Sequence, residues 1–90
     1  MIVVYVIVTY DVEQERVVRI LKICRKYLNW VQNSVLEGEI TEAKFEKLKS
    51  ELQKNIDKSK DSIRFYKVKD IALIDLEVFG HEKGITNFMY

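Results

Sequence analysis

The chain has 90 residues, with 15 Lys and Arg against 14 Asp and Glu and a net charge of +1 at neutral pH. That length allows one small domain with one core, and the 48% apolar and 32% charged content excludes a disordered chain. The near-zero charge excludes a global basic field, so any nucleic-acid contact needs a local patch; the single cysteine excludes an internal disulfide and a cysteine-based zinc site.

Ile2 to Tyr10 is a continuous β-branched and aromatic run, too short for a typical helix, and reads as a central strand buried on both faces. It has no basic segment before it and no cleavage site after it, and it is too short to span a bilayer as a helix. A soluble cytoplasmic protein with no membrane contact is expected. Val12 to Leu28 reads as a helix, with Val17, Ile20, Leu21, Cys24 and Leu28 on one apolar face. Arg19, Lys22, Arg25 and Lys26 fall on its far side, and Arg16 on the flank nearest Asp11.

Trp30 to Ile40 has strand character without strict alternation. A bend near Asn33-Ser34, or near Gly38, would explain the slip, giving two short strands or one bent strand. Thr41 is a candidate N-cap for a second helix marked by Phe45, Leu48, Leu52 and Ile56. A polar connector over Asp57 to Lys60 leads to a strand at Ser62 to Val68. Ile71 to Phe79 alternates again and predicts a further strand. Gly80 to Gly84 reads as loop, and the last residues as an edge segment or tail.

The order is that of a ferredoxin-like βαββαβ fold of the α+β class with an additional C-terminal strand. It implies an antiparallel sheet with both helices on one face. The expected division is a domain over residues 1–80 and a C-terminal segment over 81–90 that pairs with a partner protomer. A small domain with one bare sheet face favours a homodimer.

Asp11 stands where the first strand ends and the first helix begins. It fits an N-cap, with Gln14 completing a capping box. Capping is the stronger reading from the residues alone; the functional one is a hard oxygen ligand for Mg²⁺, a metal that typically takes one or two carboxylates and several waters. Two chains meeting near this strand end would supply the second carboxylate. Arg16 and Arg19 could hold phosphates, with Lys22, Arg25 and Lys26 extending a track for a nucleic-acid backbone; a solvated basic helix face is the structural alternative. Trp30 could stack a base or pack as an ordinary aromatic. Cys24 reads as core packing and His81 as an exposed loop residue. No Gly-rich phosphate loop, zinc spacing or GxSxG elbow occurs, and the aromatic signature of the RNA-binding ferredoxin-like modules is missing.

Three features together resemble the small CRISPR-associated adaptation protein family, the compact partner of the CRISPR integrase. They are YDV at the end of the first strand, Arg16-Val17, and above all YLNWVQNSVLEGEITEAKFEKLKSEL. The similarity runs on to Asn87-Phe88. The resemblance implies a ferredoxin-like homodimer whose last strand pads the partner's sheet, with Mg²⁺ held between two copies of Asp11. It implies a metal-dependent endonuclease, of endoribonuclease type, acting on RNA or DNA. It also implies a scaffold in spacer acquisition that bridges integrase subunits and holds double-stranded protospacer DNA. The residues carried over are Asp11 for the metal and Arg16 for catalysis, with Arg16, Arg19, Lys22 and Lys26 for nucleic acid. Trp30 stands where many relatives carry Arg, and Leu36 where Phe is usual. The alternative from a different class is a ferredoxin-like RNA-binding or regulatory module without catalysis.

Overall fold

The N-terminal apolar run forms strand β1 (Val3–Asp11) in the computed structural model, which describes residues 1–80. Helix α1 (Gln14–Arg25), strands β2 (Asn29–Gln32) and β3 (Val35–Thr41), helix α2 (Glu42–Gln53) and strand β4 (Ser62–Val68) follow. The strands form one sheet in the order β2-β3-β1-β4. Every neighbouring pair is antiparallel. This is the expected ferredoxin-like arrangement, with the apolar N-terminal run in the sheet interior.

The period-2 geometry of β1 sends Val4, Val6, Val8 and Tyr10 to one face. There they meet Ile20, Ile23 and Cys24 of α1 and Phe45, Leu48 and Leu52 of α2, so both helices cover the same side. Leu36 and Ile40 of β3 complete this layer. Full burial of side chains such as Ile20, Leu36 and Leu48 contributes about 1.5–3 kcal/mol each. The opposite face has no helix over it among the described residues. It carries Tyr5, Ile7, Thr9 and Asp11 of β1 beside Val68, Tyr66, Arg64 and Ser62 of β4.

The slip predicted near Asn33-Ser34 is a hairpin turn. Asn33 takes φ 40°, a left-handed conformation that asparagine tolerates. The register also shifts between Trp30 and Gln32, so the polar Asn33 and Ser34 sit in the turn and not mid-strand. Thr41 caps α2 as expected: its side-chain oxygen accepts from the Lys44 amide at 3.1 Å.

Two expectations are corrected. Asp11 does not cap α1. It remains the last residue of β1, paired with Ser62, and the helix begins later with Glu13 at the N-cap position. The strand predicted over Ile71 to Phe79 does not form. Ile71–Leu73 is one turn of 3-10 helix, and residues 74–79 join no sheet. A strand exists only through ladder bonds to a neighbour, and among the described residues the segment 71–79 finds none. The C-terminal segment 81–90, including His81 and Asn87-Phe88, lies outside the described residues. Among those described, no helix is long and apolar enough to cross a membrane.

Candidate active site

The carboxyl end of β1, the start of β4 and the β2–β3 turn come together at one end of the sheet. Asp11 is paired with Ser62, Thr9 with Arg64, and the Tyr10 amide donates to the Ser34 carbonyl at 3.1 Å. Cross-strand partners share a face, so Thr9, Asp11, Ser62 and Arg64 all belong to the helix-free side. With Tyr10 they line a shallow cleft of about 330 Å³. Asp11 is exposed there, while the Tyr10 side chain turns into the core and burial raises its pKa above the ordinary tyrosine value.

Behind this cleft lies a buried carboxylate that no local sequence pattern singles out. Asp61, in the connector before β4, is 8% exposed. Its Oδ1 accepts from the Glu13 amide at 2.9 Å and from an Arg16 terminal nitrogen at 2.9 Å. Its Oδ2 accepts from Arg16 Nε at 2.5 Å and from the Asp57 amide at 2.8 Å. Asp61 thus satisfies an amide at the start of α1, the service expected of Asp11. The Arg16 hydrogen bonds, followed by those from the backbone, hold the Asp61 carboxyl well below the usual carboxylate range against the opposing effect of burial. The same pairing raises the Arg16 guanidinium above its ordinary value.

Arg16 is therefore placed differently from a free phosphate ligand. Two of its nitrogens hold Asp61, and the third donates to Glu15 at 3.2 Å. Arg19 donates to the Asn55 side chain at 3.3 Å. Lys26 pairs with Glu51 at 2.5 Å, and Glu51 also accepts from the Tyr27 hydroxyl. The bond to Glu51 raises the Lys26 pKa, and those from Lys26 and Tyr27 lower that of Glu51. Arg19, Lys22 and Lys26 line one shallow groove on the outer face of α1 with Val18 and Ile23. Glu15 lines this groove as well, Arg16 and Arg25 of the expected track do not, and the groove does not reach the Asp11 cleft.

Trp30 packs half-buried at the edge of the core, donates from Nε1 to the Asn33 carbonyl at 3.0 Å, and lies under the Arg25 guanidinium at 5.5 Å. The position is occupied by structural contacts. Leu36 is completely buried on the helix side of β3, so its side chain lies across the sheet from the cleft. Burial pushes the Cys24 thiol up to about 12, which leaves it protonated and inert at neutral pH.

A divalent metal in the cleft would need several hard oxygen donors. Among the described residues there is no group of three or more His, Cys, Asp or Glu placed to share an ion. The cleft holds one exposed carboxylate and the hydroxyl-bearing Thr9 and Ser62. Such hard oxygen atoms are of the type Mg²⁺ prefers, but one carboxylate and two hydroxyls are fewer donors than a closed site supplies.

The family model described as CRISPR associated protein Cas2 matches residues 4–73. A Thermotoga maritima protein named CRISPR-associated endoribonuclease Cas2 is 54% identical over 86 residues, covering 96% of this chain and 99% of that one. A crystal structure described as that of cas2 aligns with TM-score 0.80 and 41% identity, covering 90% of this chain and 91% of the other. Streptococcus pyogenes Cas2, solved at pH 6.5, aligns with TM-score 0.68 and 38% identity over 84% of this chain and 99% of that one.

Proposed function

The chain belongs to the Cas2 family of CRISPR-associated proteins, and from that membership we propose that it is an endonuclease of CRISPR adaptation, cutting phosphodiesters of RNA or DNA at the Asp11 cleft. The observation that carries the reading is the exposed Asp11 carboxylate, fixed at a strand end beside Thr9, Ser62 and Arg64 in an open cleft. A flat, accessible site of this kind suits a polymer backbone better than an enclosed small molecule.

The working unit is a homodimer in which two Asp11 carboxylates face one another. The helix-free sheet face supports this, with exposed Val3 on it and the exposed apolar Leu73 and Phe79 following β4. Asp11 and its counterpart would hold Mg²⁺, which when bound supplies Lewis-acid polarisation of a phosphoryl oxygen and a more acidic water. The chain's own work is positional. β1 is paired on both sides as far as Thr9, and the pairing of Asp11 with Ser62 holds the strand end in place; a carboxylate displaced by about 1 Å loses much of its effect. Arg16 acts through Asp61, fixing the connection between β1 and α1 immediately after Asp11. Cleavage itself is hydrolysis: a water oxygen bonds to phosphorus, one P–O ester bond breaks, and the proton passes to the departing oxygen.

A second role is supported by a separate observation. Arg19, Lys22 and Lys26 form their groove on α1, outside the Asp11 cleft. This surface would follow the backbone of double-stranded protospacer DNA while the dimer bridges integrase subunits, and it needs no cutting.

Asp11→Asn separates the two roles. It removes the charge that holds the metal and breaks no hydrogen bond of the native chain. With Mg²⁺ present, the variant should cut labelled RNA and DNA at least about 100-fold more slowly while binding duplex DNA as the parent does. Equal cutting by parent and variant would refute the role of Asp11.

A further inference from the structure

Arg64 is an arginine of the cleft that the sequence offered no reason to choose, and its chemistry differs from that of Arg16. Its side chain is exposed and lines the same cleft as Asp11. It stands opposite Thr9, two residues before Asp11 on the same face of β1, and two residues after Ser62, the partner of Asp11. Its NH1 donates to the Tyr66 hydroxyl at 3.2 Å, and among the described residues no carboxylate lies within ion-pair distance of it. A guanidinium has five N–H donors in a planar fork. One is used on Tyr66, and the rest remain for an outside acceptor. Arg16, by contrast, has each of its nitrogens committed to Asp61 or Glu15.

An uncompensated guanidinium beside a lone carboxylate in an open cleft matches the two ends of one phosphodiester contact. The carboxylate side takes a cation, and the guanidinium takes the phosphate oxygens in bidentate fashion. The hydrogen bond to Tyr66 limits the swing of the side chain and lowers the ordering cost of binding. We propose that Arg64, and not Arg16, holds the phosphate of the bound nucleic acid in the Asp11 cleft, with Tyr66 as its positioning residue. The proposal deepens the endonuclease reading and rests on its assignment of the cleft to nucleic acid.

The test is fluorescence anisotropy of a labelled single-stranded RNA oligonucleotide with the full chain, in EDTA so that no cutting occurs, over a range of salt. Arg64→Gln should weaken binding about 10-fold. It should also reduce the slope of log affinity against log salt by about 0.7, the value for one lost phosphate contact on a single strand. Arg64→Lys should keep the slope, since the charge remains, and recover only part of the affinity, since the fork does not. Tyr66→Phe should weaken binding less than Arg64→Gln and leave the slope alone. Unchanged affinity and slope in Arg64→Gln would overturn the proposal. So would a loss accompanied by dissociation to monomers in sedimentation, which would place Arg64 in the protomer interface. If the parent binds this RNA but cuts neither RNA nor DNA with Mg²⁺, the endonuclease reading fails while the Arg64 comparison still stands.

Discussion

A carboxylate removed from water needs donors for both of its oxygens, and Asp61 finds them in the Glu13 and Asp57 amides and two nitrogens of Arg16. Replacing one such oxygen leaves a buried donor unsatisfied, which costs more than the hydrogen bond contributed. Asp61→Asn is therefore expected to lower the Tm by about 5 °C or more, measured by circular dichroism. The pH dependence follows from the depressed native pKa. Above the unfolded aspartate value of about 3.9, both states are ionised and the full stabilisation is present. As pH falls below that value the unfolded chain takes up a proton first, and the advantage is lost until the native carboxyl protonates too. Parent and Asp61→Asn stabilities should hence differ most above about pH 5 and converge toward pH 2, a parallel decline of both being the contrary outcome. Asp61 was illegible in the sequence because its partner Arg16 lies 45 positions away, and local spacing carries no trace of such a pair.

At the scale of elements, the helix starts show when sequence patterns suffice. Thr41 was readable as a cap because its contact is local, reaching the Lys44 amide three residues on. Thr41→Ala should cost about 1 kcal/mol, seen as a Tm drop of about 4–8 °C, and Thr41→Ser should retain most of the stability. Asp11 has the same composition signal and no cap, because β4 holds it in the strand through Ser62. The sheet extends β1 past the point where a local rule would end it. A similar limit applies to residues 71–79. Alternation there reported which side chains share a face, but alternation cannot report whether a neighbouring strand exists to pair with.

At the scale of the whole molecule, the described residues leave one sheet face without a helix and an apolar stretch without a strand partner, with Leu73 77% and Phe79 91% exposed. Exposed apolar surface of this kind in a small domain marks an association site. The paired variant Leu76→Asp, Val78→Asp places charge on that stretch away from the core. It should sediment as a monomer where the parent sediments as a dimer, with circular dichroism unchanged. Cleavage should disappear with the dimer, since each protomer brings one carboxylate to the proposed metal site. A parent that is itself monomeric would remove the basis for that shared site. The open face also explains why β1 is apolar on both sides: Tyr5 is nearly buried by its neighbours on the helix-free face, and burial, with Glu37 beside it, raises its pKa.

The sequence by itself determined the element order, the central placement of β1 and the apolar stripes of α1 and α2, and it narrowed the break after β2 to Asn33-Ser34 or Gly38. All of these follow from side-chain periodicity and local backbone preference, which act between residues a few positions apart. The motif from Tyr27 to Leu52 determined the family as well. Only the tertiary structure decided which charged groups are spent inside the fold and which remain for a ligand. Arg16 and Arg64 are the same residue type on solvent-accessible elements, and nothing local separates them. Arg16 is neutralised by a buried carboxylate from the far end of the chain, while Arg64 faces the cleft with no carboxylate against it among the described residues. Electrostatic pairing depends on distance in space, and that distance exists only once the sheet has brought the ends of β1 and β4 together.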